Sequence, residues 1–267
     1  MHIRYLLKRL YNLSPKSFQQ PIRTSYFYIQ KLSDKVHYNI AASLCAFSLR
    51  AIVLTFDDLV DSTNISIANW LSSKGIPATF FIPGETRSSV IKDLVSFGHE
   101  VGGHGFYHSP KDRIDAYKTS AQRVFEKISR FERPVSWRFP YVSYTPTEVM
   151  NVFRAGFRVD SSRCTFYPVF KFSKLGPLKE LKWLRYPFGE GMDLEIDNRK
   201  YLLFRRWLIN KLSSEVGIFV LPFHIYHQYK LFPYFKALIN KISKIRNVRF
   251  LRIRDVLYSF KNFKLFK

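Results

Sequence analysis

The sequence predicts a parallel α/β fold, either a barrel or an open doubly wound sheet. Two observations predict it. Short apolar runs alternate with helical patterns along most of the chain, and reactive side chains fall where those runs end. Of 267 residues, 46% are hydrophobic and 17% aromatic, enough to bury a sizeable core and to exclude a disordered chain.

Taken in order, Ala51–Phe56 reads as a buried strand ending in two acids. Ser62–Lys74 reads as a helix with Ser62 as cap and Gly75 as stop, followed by a β-rich run over Ala78–Ile82. A helix over Glu85–Phe97 leads to a short strand over His99–Val101 and then to a loop rich in glycine and histidine. Pro110–Phe131 reads as one long helix, Val135–Phe139 as a strand, and Thr145–Ala155 as a helix capped by Thr145. Phe157–Asp160 reads as a strand. Residues 163–198 read as irregular, with turn signals at Gly176-Pro177 and Gly189-Glu190-Gly191. A helix over Arg199–Ser213, an apolar strand over Gly217–Phe223 and a helix over Pro233–Arg246 follow. A strand over Val248–Ile253 and a helix over Asp255–Phe260 close the chain.

Charge divides the chain differently. The formal net charge is +23. Residues 1–50 hold eight Lys/Arg against one acid and residues 199–267 hold sixteen against two, while the middle is nearly balanced. Basic ends suit an anionic surface, whether phospholipid headgroups, lipid-linked sugar phosphates or nucleic acid; the plainer reading is a well-solvated surface. The first twenty residues scatter Arg4, Lys8 and Arg9 where the apolar part of a secretory signal would lie, and the Ile40–Leu49 run is too short to span a bilayer. Ile3, Leu6, Leu7, Leu10 and Tyr11 recur at helical spacing, as in a helix lying on a membrane surface or covering the domain. The expectation is a cytoplasmic protein, peripheral on the inner face of the membrane. Cys45 and Cys164 fit no metal, redox or disulfide spacing.

The chemistry gathers at strand ends. Asp57 and Asp58 end the first strand, His104 and His108 follow the third, and Arg138, Asp160 and His224 end later ones. In parallel α/β folds such residues converge on one rim. His104 and His108, four apart, can point at one ion, and one carboxylate completes a two-histidine, one-carboxylate set with open positions. A second aspartate is then available as a general base. Judged singly, the aspartates are also plausible helix caps, Arg138 a surface salt bridge and the histidines loop residues.

These segments resemble the polysaccharide deacetylases, the chitooligosaccharide-deacetylase homology family. The likeness rests on Thr55-Phe56-Asp57-Asp58, on Gly98-His99-Glu100-Val101-Gly102-Gly103-His104 through His108-Ser109-Pro110, on Arg138-Phe139-Pro140-Tyr141, on Asp160-Ser161-Ser162 and on Leu221-Pro222-Phe223-His224, all in family order. Ala78–Ile82 leading to Gly84 adds to it. The resemblance implies a deformed (β/α) barrel of about seven parallel strands over residues 51–267, with residues 1–50 a basic, partly amphipathic helical extension. It implies a divalent metal ion of the zinc type held by Asp58, His104 and His108. Asp57 would be the base that activates water, Arg138 its ion-pair partner, His224 the acid and Asp160 the residue that orients His224. The backbone N–H of Tyr141 would face the oxyanion.

Amide hydrolysis needs those parts on general grounds: a base unprotonated and an acid protonated at one pH, and a positive site for the oxyanion. The implied activity is removal of an N-acyl group, acetyl first, from an amino sugar in a polysaccharide or lipid-linked glycan. A deformylase or a cyclic-amide hydrolase on the same site is the alternative. A non-catalytic basic protein binding glycan or nucleic acid is a reading of another class, and no nucleic-acid motif supports it. His227 competes with His224, and His99 reads as structural. The chain departs from the family pattern at Leu59, Gly105, Phe139 and Val142; Gly105 stands where a hydroxyl residue is usual.

Overall fold

The computed structural model describes residues 16–44, 50–58, 65–142, 144–169, 171–186, 198–224 and 231–262. The helical spacing read from Ile3 to Tyr11 lies outside those residues, as do Cys45, Leu59, Ser62, the turn signal at 189–191 and His227.

The strand Arg50–Asp57 (β1) sits between its parallel neighbours Gly217–His224 (β10) and Thr79–Ile82 (β2). The sheet continues in parallel through Glu100–Gly103 (β3), Ser136–Trp137 (β4), Val159–Asp160 (β5) and Leu178–Glu180 (β8). These seven strands form the curled parallel sheet of a deformed barrel, with the order β10-β1-β2-β3-β4-β5-β8. Ser173–Leu175 (β7) adds an antiparallel edge to β8 through the turn at Gly176-Pro177. Val248–Phe250 (β11) pairs with the first half of β1, below β2. The gap between β8 and β10 is bridged by a two-stranded sheet of Cys164–Thr165 (β6) and Trp183–Leu184 (β9). Paired backbone hydrogen bonds between Val169 and Ile218 add to that closure.

Both faces of this sheet are buried, so the strands read as continuous apolar runs. Ile52, Leu54 and Phe56 of β1, with Phe219, Leu221 and Phe223 of β10, pack outward in one cluster. Ala51, Val53, Ile218 and Val220 pack inward in another. Because side chains alternate, Asp57 continues the inward row of β1 and His224 that of β10. The outer cluster is covered by amphipathic helices at Ile65–Ser73, Ser88–Ser96, Lys118–Ser129, Pro146–Ala155, Asn198–Ser214 and Phe232–Ile242. The helix Ile253–Asn262 puts Ile253, Val256 and Leu257 into the inner cluster. No helix among the described residues is long and apolar enough to cross a membrane.

Two expectations need correction. The stretch Pro110–Phe131 is not one helix. A 3-10 turn over Pro110–Arg113 is separated from the helix Lys118–Ser129 by Ala116 and Tyr117, both left-handed at φ 50° and 63°. The break lets the Tyr117 ring pack edge-on against Trp137 and Phe139, and that tertiary contact outweighs local helical preference. Residues 163–186 are not wholly irregular either, because four short strands lie within them.

Thr145 does cap the next helix. Its hydroxyl accepts the Glu148 N–H, and the Glu148 carboxylate accepts the Thr145 N–H. Glu148 also takes two hydrogen bonds from Arg113 of the 3-10 turn, tying the two segments together. Thr145→Ala should lower the unfolding free energy by about 1 kcal/mol. Urea denaturation will read this as a lower midpoint at unchanged slope.

Candidate metal centre

The two adjacent acids reach the rim together because the chain turns between them. Asp57 is the last residue of β1, and Asp58 adopts a left-handed conformation at φ 68°, its N–H donating to the Phe81 carbonyl at 3.2 Å. Aspartate is among the residue types that tolerate this conformation. Asp57 is buried, whereas the Asp58 side chain is 23% exposed.

Both histidines come to Asp58. His104 Nε2 lies 3.6 Å and His108 Nε2 3.2 Å from Asp58 Oδ1, and the three candidate ligand atoms lie within 4.8 Å of one another. His104 Nδ1 lies 2.8 Å from the Arg138 carbonyl. A carbonyl only accepts, so Nδ1 carries the proton and Nε2 turns its lone pair to the cluster. Burial lowers the His104 pKa to about 4, which keeps the ring neutral, the form a metal requires. Asp58 Oδ1 is buried and makes no hydrogen bond among the described residues. A buried carboxylate oxygen without a donor is costly, and a cation shared with two imidazoles removes that cost. The three residues therefore fit a divalent ion.

Asp57 is paired with Arg138. Nη1 donates to Asp57 Oδ1 at 2.7 Å, Nε to the Ser161 carbonyl at 2.7 Å, and Nη2 to Thr55 Oγ1 at 3.0 Å and Ser161 Oγ at 3.2 Å. Phe81 lies under the guanidinium, 4.3 Å from its ring centroid. Burial pushes the Asp57 pKa above the ordinary carboxylate value, while the Arg138 charge pulls it back. That leaves Asp57 more basic than an exposed aspartate but held by a fixed positive charge.

His224 reaches the rim by register, directly opposite Asp57 in the β1–β10 pairing, with Nε2 3.8 Å from Asp58 Oδ2. Tyr141 lies at the rim in a left-handed turn (φ 58°), its hydroxyl donating to the His108 carbonyl at 3.0 Å. Asp160 lies a layer deeper. Its Oδ1 accepts from Ser162 Oγ at 2.5 Å, and Ser162 Oγ in turn accepts the Phe139 N–H at 2.8 Å. Burial raises the Asp160 pKa to about 7. Through Ser162, Asp160 braces the segment carrying Arg138 and Tyr141. His99, by contrast, is structural, bonded to the Ala78 N–H and the Ala68 carbonyl.

One residue that shapes the centre escaped the sequence reading. The buried Asp112 carboxylate accepts from the N–H groups of Phe106, Tyr107 and Ser109 and from Ser120 Oγ, fixing the loop between the two histidines. Its signal was the Ser109-Pro110-Lys111-Asp112 capping box, lost inside the expected long helix. Asp112 also explains Gly105. That residue has φ +78°, and a Cβ there would stand 2.8 Å from Asp112 Oδ2. The missing hydroxyl is a requirement of this loop.

Fold and centre together define a (β/α)-barrel protein with a two-histidine, one-aspartate cluster at the ends of its parallel strands. Residues 47–159 match the family model described as polysaccharide deacetylase. A chitin deacetylase of Pestalotiopsis sp is 25% identical over 146 residues, covering 49% of this chain and 47% of that protein. The chain thus matches about half the length of that curated relative. Among solved structures, a putative polysaccharide deacetylase from Mycobacterium smegmatis superposes with a TM-score of 0.64 at 18% identity, covering 81% of this chain and 92% of that one. An allantoinase superposes with a TM-score of 0.61 at 13% identity, over 81% and 92% of the two chains. Likeness at these identities concerns the fold.

Removing the loop anchor should loosen the ligands without unfolding the barrel. Asp112→Ala is expected to weaken zinc binding by roughly 10–100-fold. Titration calorimetry with zinc alone reads the loss, and an unchanged far-UV spectrum shows that the fold persists.

Proposed function

We propose that the protein is a metal-dependent hydrolase that removes an N-acyl group, acetyl first, from an amino sugar of a polysaccharide or lipid-linked glycan. One observation carries the reading: the Asp58, His104 and His108 ligand atoms gather within 4.8 Å beside the buried Asp57–Arg138 pair. The match to the polysaccharide deacetylase model over residues 47–159 and the chitin deacetylase likeness support the substrate class.

Asp58, His104 and His108 would hold the ion, of the zinc type given one carboxylate and two imidazoles. When bound, it supplies positive charge that polarises the amide carbonyl and eases ionisation of water. Asp57 takes the proton of the attacking water, its basicity raised by burial and its orientation fixed by Arg138. His224, on the same inward row at the rim, donates a proton to the departing amine. The Tyr141 N–H, presented by the left-handed turn that Ser162 braces, faces the oxyanion.

Metal analysis combined with acetate release from a panel of N-acetylated glycans tests the assignment. Asp57→Asn and His224→Ala should each retain the metal and lose roughly 10²–10⁴-fold in turnover, while His104→Ala should lose both metal and turnover. Formate in place of acetate identifies a deformylase. Ring opening of a cyclic amide without release of either acid would assign the site to the chemistry that the allantoinase likeness leaves open. Tight, salt-sensitive nucleic-acid binding with no metal would refute the proposal.

A further inference from the structure

The helix Lys16–Leu44 lies against the barrel wall through a few specific contacts. Gln30 Nε2 donates to the Cys164 carbonyl at 3.2 Å, and the Tyr38 hydroxyl accepts the Val216 N–H at 3.2 Å. Tyr38 stacks on Tyr167, and the Arg185 guanidinium sits 4.1 Å over the Phe27 ring. Asp34 is the helix's one acid. It accepts from Thr165 Oγ1 and from the Phe166 N–H, both at 3.2 Å, so its charge faces the barrel.

The outward face is left apolar and basic. Tyr28, Ile29, Leu32, Val36 and Ile40 are 41–67% exposed. The steps of three and four residues from Ile29 to Ile40 place them in one row. The exposed Lys31 and Lys35, one turn apart, line one edge of the row, and no acid is exposed among the described side chains of this helix. An apolar row edged by lysines is the pattern of a helix that lies in a membrane interface.

We propose that the outward face of this helix, from Tyr28 to Ile40, is a docking surface for an anionic phospholipid bilayer. Charge complementarity selects that occupant. A second copy of the chain would bring another +23 and two more lysines to the same seam, whereas anionic headgroups attract both. The apolar row distinguishes this surface from one built for nucleic acid, whose backbone rewards charge alone. Orientation adds a consequence. Tyr38 sits at the start of β10, whereas Phe27 contacts Arg185, next to Tyr186, whose hydroxyl donates to the Pro222 carbonyl two residues before His224. The helix therefore climbs the wall from the strand starts towards the metal-centre rim, and a bilayer on this face lies alongside that rim.

Vesicle co-sedimentation of the full chain tests the surface. It involves no turnover, so its outcome is separable from the deacylation reading. At about 0.15 M salt, the protein should bind vesicles containing phosphatidylglycerol and not pure phosphatidylcholine, and ~1 M salt should weaken that binding. Lys31→Ser with Lys35→Ser should weaken binding by about tenfold or more. Leu32→Ser with Val36→Ser should weaken it on the order of a hundredfold. Zinc affinity, unchanged in both variants, shows that the barrel is intact. Equal binding to both vesicle types, or none, overturns the proposal. So does a dimer that dissociates in the Leu32/Val36 variant, or a loss of thermal stability in that variant with vesicle binding unchanged. The former result would assign the face to a second copy, and the latter to packing within the chain. Nucleic-acid binding indifferent to Leu32 and Val36, without vesicle binding, would also overturn it.

Discussion

One residue holds the centre together. The Arg138 guanidinium donates to the Asp57 carboxylate, the Ser161 carbonyl, the Ser161 hydroxyl and Thr55, while its backbone carbonyl takes the His104 Nδ1 proton. Side chain and main chain of a single position thus orient the proposed base and one proposed metal ligand. An arginine so buried is tolerated only because its hydrogen bonds are met; removing one partner of such a pair leaves an uncompensated charge costing about 3–5 kcal/mol. The pair is therefore weak evidence of stability and strong evidence of a fixed geometry. Its lysine counterpart would lack the planar fork that reaches β1 and Ser161, just past β5, at once.

Around that hub two buried carboxylates divide the labour. Deep in the rim, Asp160 and Ser162 hold the Phe139 N–H. In the loop after β3, the equally buried Asp112 gathers three N–H groups of the segment that carries His108. The histidine separation that matters is set by this loop, which is not a helical turn: Gly105 and His108 both have positive φ. A four-residue spacing at a strand end can therefore be realised by a carboxylate collecting backbone donors.

Much of this was legible in the chain, for identifiable reasons. Strands buried on both faces produce unbroken apolar runs, so an acid or histidine terminating one is conspicuous, as at Asp57 and His224. The capping box at Thr145 is a local signal and survives folding unchanged. What stayed hidden depends on distant partners. The break at Ala116-Tyr117 answers to Trp137 and Phe139, and the two-residue strands at Cys164–Thr165 and Trp183–Leu184 exist only through their pairing with each other. The turn at Asp58 was legible as a need, since two neighbouring acids on one rim require it, but its left-handed form was not.

The central claim is that Asp58, His104 and His108 share one ion. Zinc-edge X-ray absorption of the zinc-loaded protein measures it most directly. The account predicts a nitrogen and oxygen shell at about 2.0–2.1 Å with scattering from two imidazoles, falling to one imidazole in His108→Ala. A spectrum without imidazole scattering, or one unchanged by that substitution, would contradict it.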